Sequence, residues 1–145
     1  MADLGETINE LVLANRILAA NGVVDAFGHV SVRHPSKPNR YLLSKSRSPE
    51  LVTADDIVEF DLESRVTDGR KDPVYHERFI HGGIYEANPE INAVVHSHAL
   101  DVMPFTLTDV KLRACIHVAS QIGEEVPVWD IRDKFGDTEI GRAHV

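Results

Sequence analysis

The chain has 145 residues, 43% of them apolar, which suits one domain with a hydrophobic core. Its 15 basic and 23 acidic residues give a formal charge of −8, which argues against nucleic-acid and anionic-membrane partners, because both need a basic face. Cys115 is the single cysteine, so an intrachain disulfide and a cysteine metal cluster are excluded and a reducing compartment is expected.

The first predicted element is an amphipathic helix, with Leu4, Ile8, Leu11, Val12 and Leu18 at helical spacing and Asn21-Gly22 as its stop. Asp3 and Glu6 stand where a secretory signal would carry positive charge. No apolar run reaches the roughly 18 residues of a membrane span, so a cytoplasmic protein is expected. Gly28 to His34 alternates, with Val30 and Val32 on one face and His29, Ser31 and Arg33 on the other; this predicts a strand ended by Pro35. Arg40 to Ser44 is the next strand. Thr53-Ala-Asp-Asp reads as a capped turn before a short strand, Ile57 to Leu62, and Asp68-Gly69 as a further turn. A helix is predicted over Tyr75 to Ala87, closed by Asn88-Pro89, then a buried strand over Ala93 to His96. A helix over Ala114 to Ile122 and a strand over Val126 to Trp129 complete the reading. Strands and helices intermix throughout, which predicts an α/β sandwich with the sheet between helices.

Three groups of residues carry chemical potential. At the end of the apolar run Ala93-Val94-Val95 stands His96-Ser97-His98. On a strand, residues i and i+2 project to one side, so both imidazoles could reach one divalent cation. The plain alternative is two polar residues leaving a buried strand for solvent. Upstream, His76-Glu77-Arg-Phe-Ile-His81 imitates a zinc-protease helix, but its histidines are five apart, about 140° around a helix, and cannot share a metal. Glu77 and His81, four apart, share a face and could approach one site. An interior hydrogen-bonded histidine is an equal reading of His81, and an exposed helix carboxylate the default for Glu77. The third group, Ser44-Lys-Ser-Arg47-Ser-Pro49, is a polar loop able to hold an anion, or a solvated turn.

The stretch Glu77-Arg-Phe-Ile-His81 … Asn88-Pro-Glu-Ile-Asn-Ala-Val-Val-His96-Ser-His98 resembles the core signature of the class II aldolase/adducin family. Gly28-His29-Val30-Ser31 matches the family's earlier Gly-Asn-x-Ser strand, with His29 in place of Asn. Cys115-Ile-His117, Val126-Pro127 and Phe135-Gly136 follow in the family's order, so the resemblance covers nearly the whole chain. It implies a three-layer α/β sandwich, with a central, mostly antiparallel sheet between helices. It also implies that Glu77 is the catalytic acid/base and that His96 and His98 are two of three histidine ligands to one zinc or manganese ion. The family's reaction is carbon–carbon bond cleavage through a metal-stabilised enolate, in cyclic homotetramers acting on small-molecule substrates.

Departures from the pattern narrow the expectation. The family's sugar-phosphate aldolases carry two small serines before the glutamate, where this chain has Tyr75 and His76. Their Thr-x-x-Gly phosphate loop is replaced by the Ser44 to Pro49 segment, and Val118 stands where a tyrosine is expected. An aromatic ring, an imidazole and an Arg fork suit a planar carboxylate better than a phosphate. With Phe27-Gly28-His29, Arg33-His34-Pro35 and Val128-Trp129-Asp130, the chain is similar to the family's decarboxylases of hydroxylated aromatic or heteroaromatic acids. His29, Ser31, Arg33, Ser44, Arg47, Tyr75, His76 and His81 are accordingly the expected substrate-binding residues. Alternatives are retro-aldol cleavage of a sugar phosphate or related hydroxy-carbonyl, epimerisation by retro-aldol and re-addition, and an adducin-like scaffold without chemistry.

The family-like pattern stops after Phe135-Gly-Asp-Thr138, although a third histidine ligand and closing elements should follow. Residues 1–138 are therefore expected to be an incomplete domain. Glu139 to Val145 is what the codons GAG ATC GGA AGA GCA CAC GTC encode, a string found in a widely used sequencing-library adapter. Those last residues are expected to be non-native, and His144 is not expected to be the third ligand.

Overall fold

The structure, a computed structural model, describes residues 3–123 and 126–128, which fall into two compact units. The first, residues 3–97, opens with helix α1 (Leu4–Ala20), ended by Asn21 and by Gly22 at φ 67. Strands β1 (His29–Arg33), β2 (Arg40–Ser44), β3 (Ile57–Asp61) and β4 (Ala93–His96) form one antiparallel sheet in the order β3-β2-β1-β4, and helix α2 (Arg78–Ala87) precedes β4.

Strand alternation sorts the side chains into two faces. On one, Val30, Leu42 and Ile57 pack with Leu11 of α1 and with Val52. On the other, Tyr41, Leu43, Val58 and Phe60 pack with Tyr75 and with Tyr85 of α2. The sheet thus lies between two helices, the three layers expected from the sequence. The turn over Thr53–Asp56 is capped as predicted, Asp56 accepting from both the Thr53 amide and hydroxyl at 2.9 and 2.8 Å.

Four expectations need correction. The helix predicted from Tyr75 begins at Arg78, so Glu77 occupies its N-cap instead of its first turn. Strand β4 has the predicted bounds but is not buried: it is one of the two outer strands of the described sheet, and Val95 is 47% exposed. In the second unit the helix predicted over Ala114 to Ile122 is a 3-10 segment, His117–Ile122. Residues 126–128 carry no strand, and Trp129 and the tail 139–145 lie outside the described residues. The second unit also holds one short helix, α3 (Met103–Thr106), opened by Pro104; none of its described residues is buried. No helix among the described residues is long and apolar enough to cross a membrane.

Candidate active site

Register builds the site. His29 opens β1 and pairs directly with His96, the last residue of β4, so both rings fall on the α2 face and stack with centroids 4.9 Å apart. The glycine before His29 makes that pairing possible: a Cβ on Gly28 would lie 3.1 Å from the His96 carbonyl oxygen and 2.7 Å from Val24 Cβ. Glu77 reaches the pair from the start of α2, with carboxylate oxygens 3.6 Å from His29 Nε2 and 3.2 Å from His96 Nε2. One donor atom from each of these three residues lies within 4.8 Å of the other two.

The start of α2 is itself pinned. Tyr41 donates its hydroxyl proton to Ser64 Oγ at 2.9 Å, Ser64 donates to the Arg78 carbonyl at 3.1 Å, and Arg78 Nε returns to the Ser64 carbonyl at 2.9 Å. Ser64 holds φ 62, a left-handed turn that brings its hydroxyl and carbonyl to the helix start. These contacts fix the backbone on which Glu77 sits.

Behind the cluster runs a buried polar chain. His29 Nδ1 lies 2.8 Å from His81 Nε2, His81 Nδ1 lies 2.6 Å from Ser31 Oγ, and Ser31 Oγ lies 2.8 Å from the Tyr85 hydroxyl. Burial, reinforced by the neighbouring His81 and His96, lowers the His29 pKa to about 3; burial and His96 lower that of His81 to about 4. Both imidazoles are neutral near pH 7. Burial pushes Tyr85 up to about 12, so its phenol keeps its proton. His29 Nε2 is buried without a hydrogen-bond partner, since 3.6 Å to Glu77 is too long for one.

The other expected site residues separate. Tyr75 sets its ring, tilted by 44°, 4.3 Å from that of His29 and exchanges hydrogen bonds with the Arg47 backbone, accepting from its amide at 3.2 Å and donating to its carbonyl. Arg47 turns Nε to the Leu51 carbonyl at 2.9 Å and to Asp56 at 3.4 Å, its side chain 42% exposed. Ser44 is buried at the end of β2, and His76 is exposed beside Glu77. Arg33 is diverted from any ligand: its guanidinium donates to the carbonyls of Ile91, Pro38, Tyr85 and Asn88 at 2.6–3.1 Å and lies over the Tyr85 ring. It closes the C-terminal end of α2, where a cation is favourable. His98 opens the second unit, so its assignment rests on the sequence pattern. Sequence reasoning placed His29 only as a substrate contact; its meeting with Glu77 and His96 depends on strand register, which the alternation of one strand does not reveal.

An antiparallel sheet between helices, with two histidines and a carboxylate converging at its end, defines an α/β fold with a potential metal-binding site. The chain matches the family described as Class II Aldolase and Adducin N-terminal domain over residues 9–145, and it belongs to that family. It is 40% identical over 117 residues to the decarboxylase tropJ of Talaromyces stipitatus, covering 79% of this chain and 44% of that protein. Among solved structures it is similar in fold to the L-fuculose 1-phosphate aldolase of Glaciozyma antarctica, with TM-score 0.71 and 24% identity over 86% of this chain and 57% of that one. YgbL of Klebsiella pneumoniae is similar at TM-score 0.72 and 20% identity, over 99% and 70% of the two chains. The chain therefore spans less than half the length of tropJ and little more than half that of the fuculose phosphate aldolase.

Proposed function

We propose that the protein is a metal-dependent carbon–carbon lyase that decarboxylates a hydroxylated aromatic or heteroaromatic acid. The observation that supports this most is the Glu77 carboxylate, 30% exposed, held against two histidine Nε2 atoms at the end of the sheet. The 40% identity with a protein called a decarboxylase favours loss of carbon dioxide over aldol cleavage. Cleavage of a sugar phosphate is the second reading, favoured by the fold likeness to a fuculose phosphate aldolase.

The residues fit a divalent ion. Donors about 2.0–2.1 Å from a tetrahedral ion stand about 3.3 Å apart, and the two Glu77–histidine separations are 3.2 and 3.6 Å. His96 and His98 would hold zinc or manganese, with Glu77 beside them. When bound, such an ion supplies a Lewis acid for the oxyanion that develops as the carbon–carbon bond breaks. In its acid form, Glu77 gives a proton to the ring carbon that keeps the electron pair as carbon dioxide leaves, and it regains one through its solvent-exposed side. His29, buried beneath the Tyr75 ring, walls the inner side of the carboxylate and excludes water there. Arg47 is the cation assigned to the substrate carboxylate, because Arg33 is committed to backbone carbonyls. A cytoplasmic homotetramer acting on a small molecule completes the reading, on family grounds.

The test is turnover by full-length protein loaded with zinc or manganese, offered hydroxyaryl carboxylates and sugar phosphates in parallel. Carbon dioxide should be released from an aromatic acid, and Glu77→Gln should lower kcat by about 10²–10⁴-fold. Cleavage of fuculose or ribulose phosphates, with no aromatic acid turned over, would overturn the decarboxylase. Inertness towards both would leave an adducin-like scaffold.

A further inference from the structure

We propose that His29 is itself a metal ligand, binding through Nε2 beside Glu77 and His96, with its ring held by the buried chain His81–Ser31–Tyr85. The proposal rests on the metal-dependent reading above and adds to it a ligand from the first residue of β1.

Three observations converge on it. His29 Nε2 is buried and unpartnered, a costly state for a polar atom unless something occupies its lone pair. It faces the same carboxylate as His96 Nε2, and the three donors lie within 4.8 Å of one another. Its other nitrogen, Nδ1, is already engaged at 2.8 Å by His81, the arrangement by which proteins orient metal-bound histidines.

The chain behind His29 can carry its protons in two directions. In one, Tyr85 donates to Ser31, Ser31 to His81 Nδ1, and His81 Nε2–H to His29 Nδ1; the His29 proton then sits on Nε2, aimed at Glu77. In the other, His29 Nδ1–H donates to His81 Nε2, His81 Nδ1–H to Ser31 Oγ, and Ser31 to the Tyr85 oxygen. His29 Nε2 then presents a lone pair. All four side chains are almost fully buried, at 0% exposure for His29, Ser31 and His81 and 1% for Tyr85. Each group stays neutral in both directions, Tyr85 turning its own proton away from Ser31 in the second, so the change releases one proton at His29 Nε2 and takes one up at the Tyr85 end. A bound ion selects the second direction. Without the proposal, His29 is an interior histidine that buttresses Glu77 and keeps its proton on Nε2 in every state.

The two differ in a measurement that needs no substrate. Full-length protein labelled with 15N-histidine is titrated with Zn2+ and followed by long-range 1H–15N correlation, His29 and His96 being assigned from their Asn and Ala variants. The expected result is that Nε2 of both His96 and His29 moves into the metal-bound range while His29 Nδ1 becomes protonated. Movement of His96 with His29 still protonated on Nε2 overturns this proposal and leaves the metal-dependent reading standing. Zinc that perturbs neither histidine overturns both. As a second arm, zinc affinity should fall by about 10–100-fold in His81→Gln, which removes only the backing of the ligand. An unchanged affinity in that variant counts against the proposal as well.

Discussion

At the scale of single residues, the same few side chains decide both chemistry and stability. His29 and His81 give up charge to be buried, and His34, also buried, has its pKa lowered by desolvation. In the unfolded chain each returns to 6.5. For His29 and His81, between that value and about 4, the unfolded state binds protons that the folded state refuses, so unfolding becomes easier as pH falls; His34 acts in the same direction. The stabilisation is complete above 6.5 and is lost on the way down towards the folded values. Each buried histidine contributes at most about 1.4 kcal/mol per pH unit in that window. Asp56, Glu59 and Asp61 have lowered pKa values, so their losses begin in a separate, more acidic range. Urea unfolding of metal-free protein should therefore show stability declining between about pH 6.5 and about pH 4.5, with a shallower decline in His81→Gln. A flat profile over that range would mean that these imidazoles are not buried neutral. Arg33 shows the limit of residue-level reading: its side of the strand was legible from alternation, but three of the four carbonyls it serves, those of Tyr85, Asn88 and Ile91, lie more than fifty residues away in sequence.

At the scale of elements, adjacent glycines in α2 make a controlled comparison. Both cost helix stability of about 1 kcal/mol relative to Ala in a helix interior. A Cβ on Gly83 would meet nothing within 4 Å, whereas one on Gly82 would lie 2.5 Å from the Leu62 carbonyl oxygen and crowd the Ser64 hydroxyl. That contact is with backbone, which cannot swing aside as a side-chain end can. Overpacking costs about 1–3 kcal/mol, so strain outweighs propensity at Gly82 and is absent at Gly83. Gly83→Ala should raise the unfolding midpoint and Gly82→Ala should lower it; equal shifts of one sign would show that α2 does not press on the turn after β3. Strand elements were the most legible part of the fold. Alternation and turn residues located Arg40–Ser44 and Ala93–His96 at their observed bounds. The apolar run of β4 reads as buried, because an outer strand with an exposed Val95 looks the same in sequence as a central one. The start of α2 was misplaced because Tyr75 keeps helical spacing to the residues that follow, while its ring is drawn to His29 and its hydroxyl to the Arg47 backbone.

At the scale of the whole molecule, the two units differ in what holds them. Residues 3–97 own both hydrophobic clusters and all four described strands, whereas no described residue from 98 to 123 is buried. Leu100, Leu107, Ile116 and Val118 are each at least 70% exposed. This explains why the periodicity of Ala114 to Ile122 did not yield the expected helix. A short helix is not stable by itself, because nucleation is costly and only a packed face offsets it; here no face is packed, and a 3-10 segment remains. It also explains why the site was half legible. Glu77 and His96 stand out in the sequence as parts of a motif, but His29 meets them only through the tertiary structure of the first unit. Local opening free energy follows buried contacts and interior hydrogen bonds, so the difference should appear directly in hydrogen exchange of the 145-residue chain. Amides in β1 and β2, the strands paired on both sides, should exchange only through large-scale opening. Peptides spanning 98–123 should exchange orders of magnitude faster, close to the rate of an unstructured chain. His96 stands at the border: its strand is paired on one side to β1 among the described residues, so its protection should be intermediate. Zinc, if it binds where His29 and Glu77 face His96, should slow exchange at the ends of β4 and β1 by RT ln(1 + [L]/Kd), about 2.7 kcal/mol at a hundredfold excess over Kd, without protecting 107–123. Protection as strong over 98–123 as over β1 and β2 would refute this expectation.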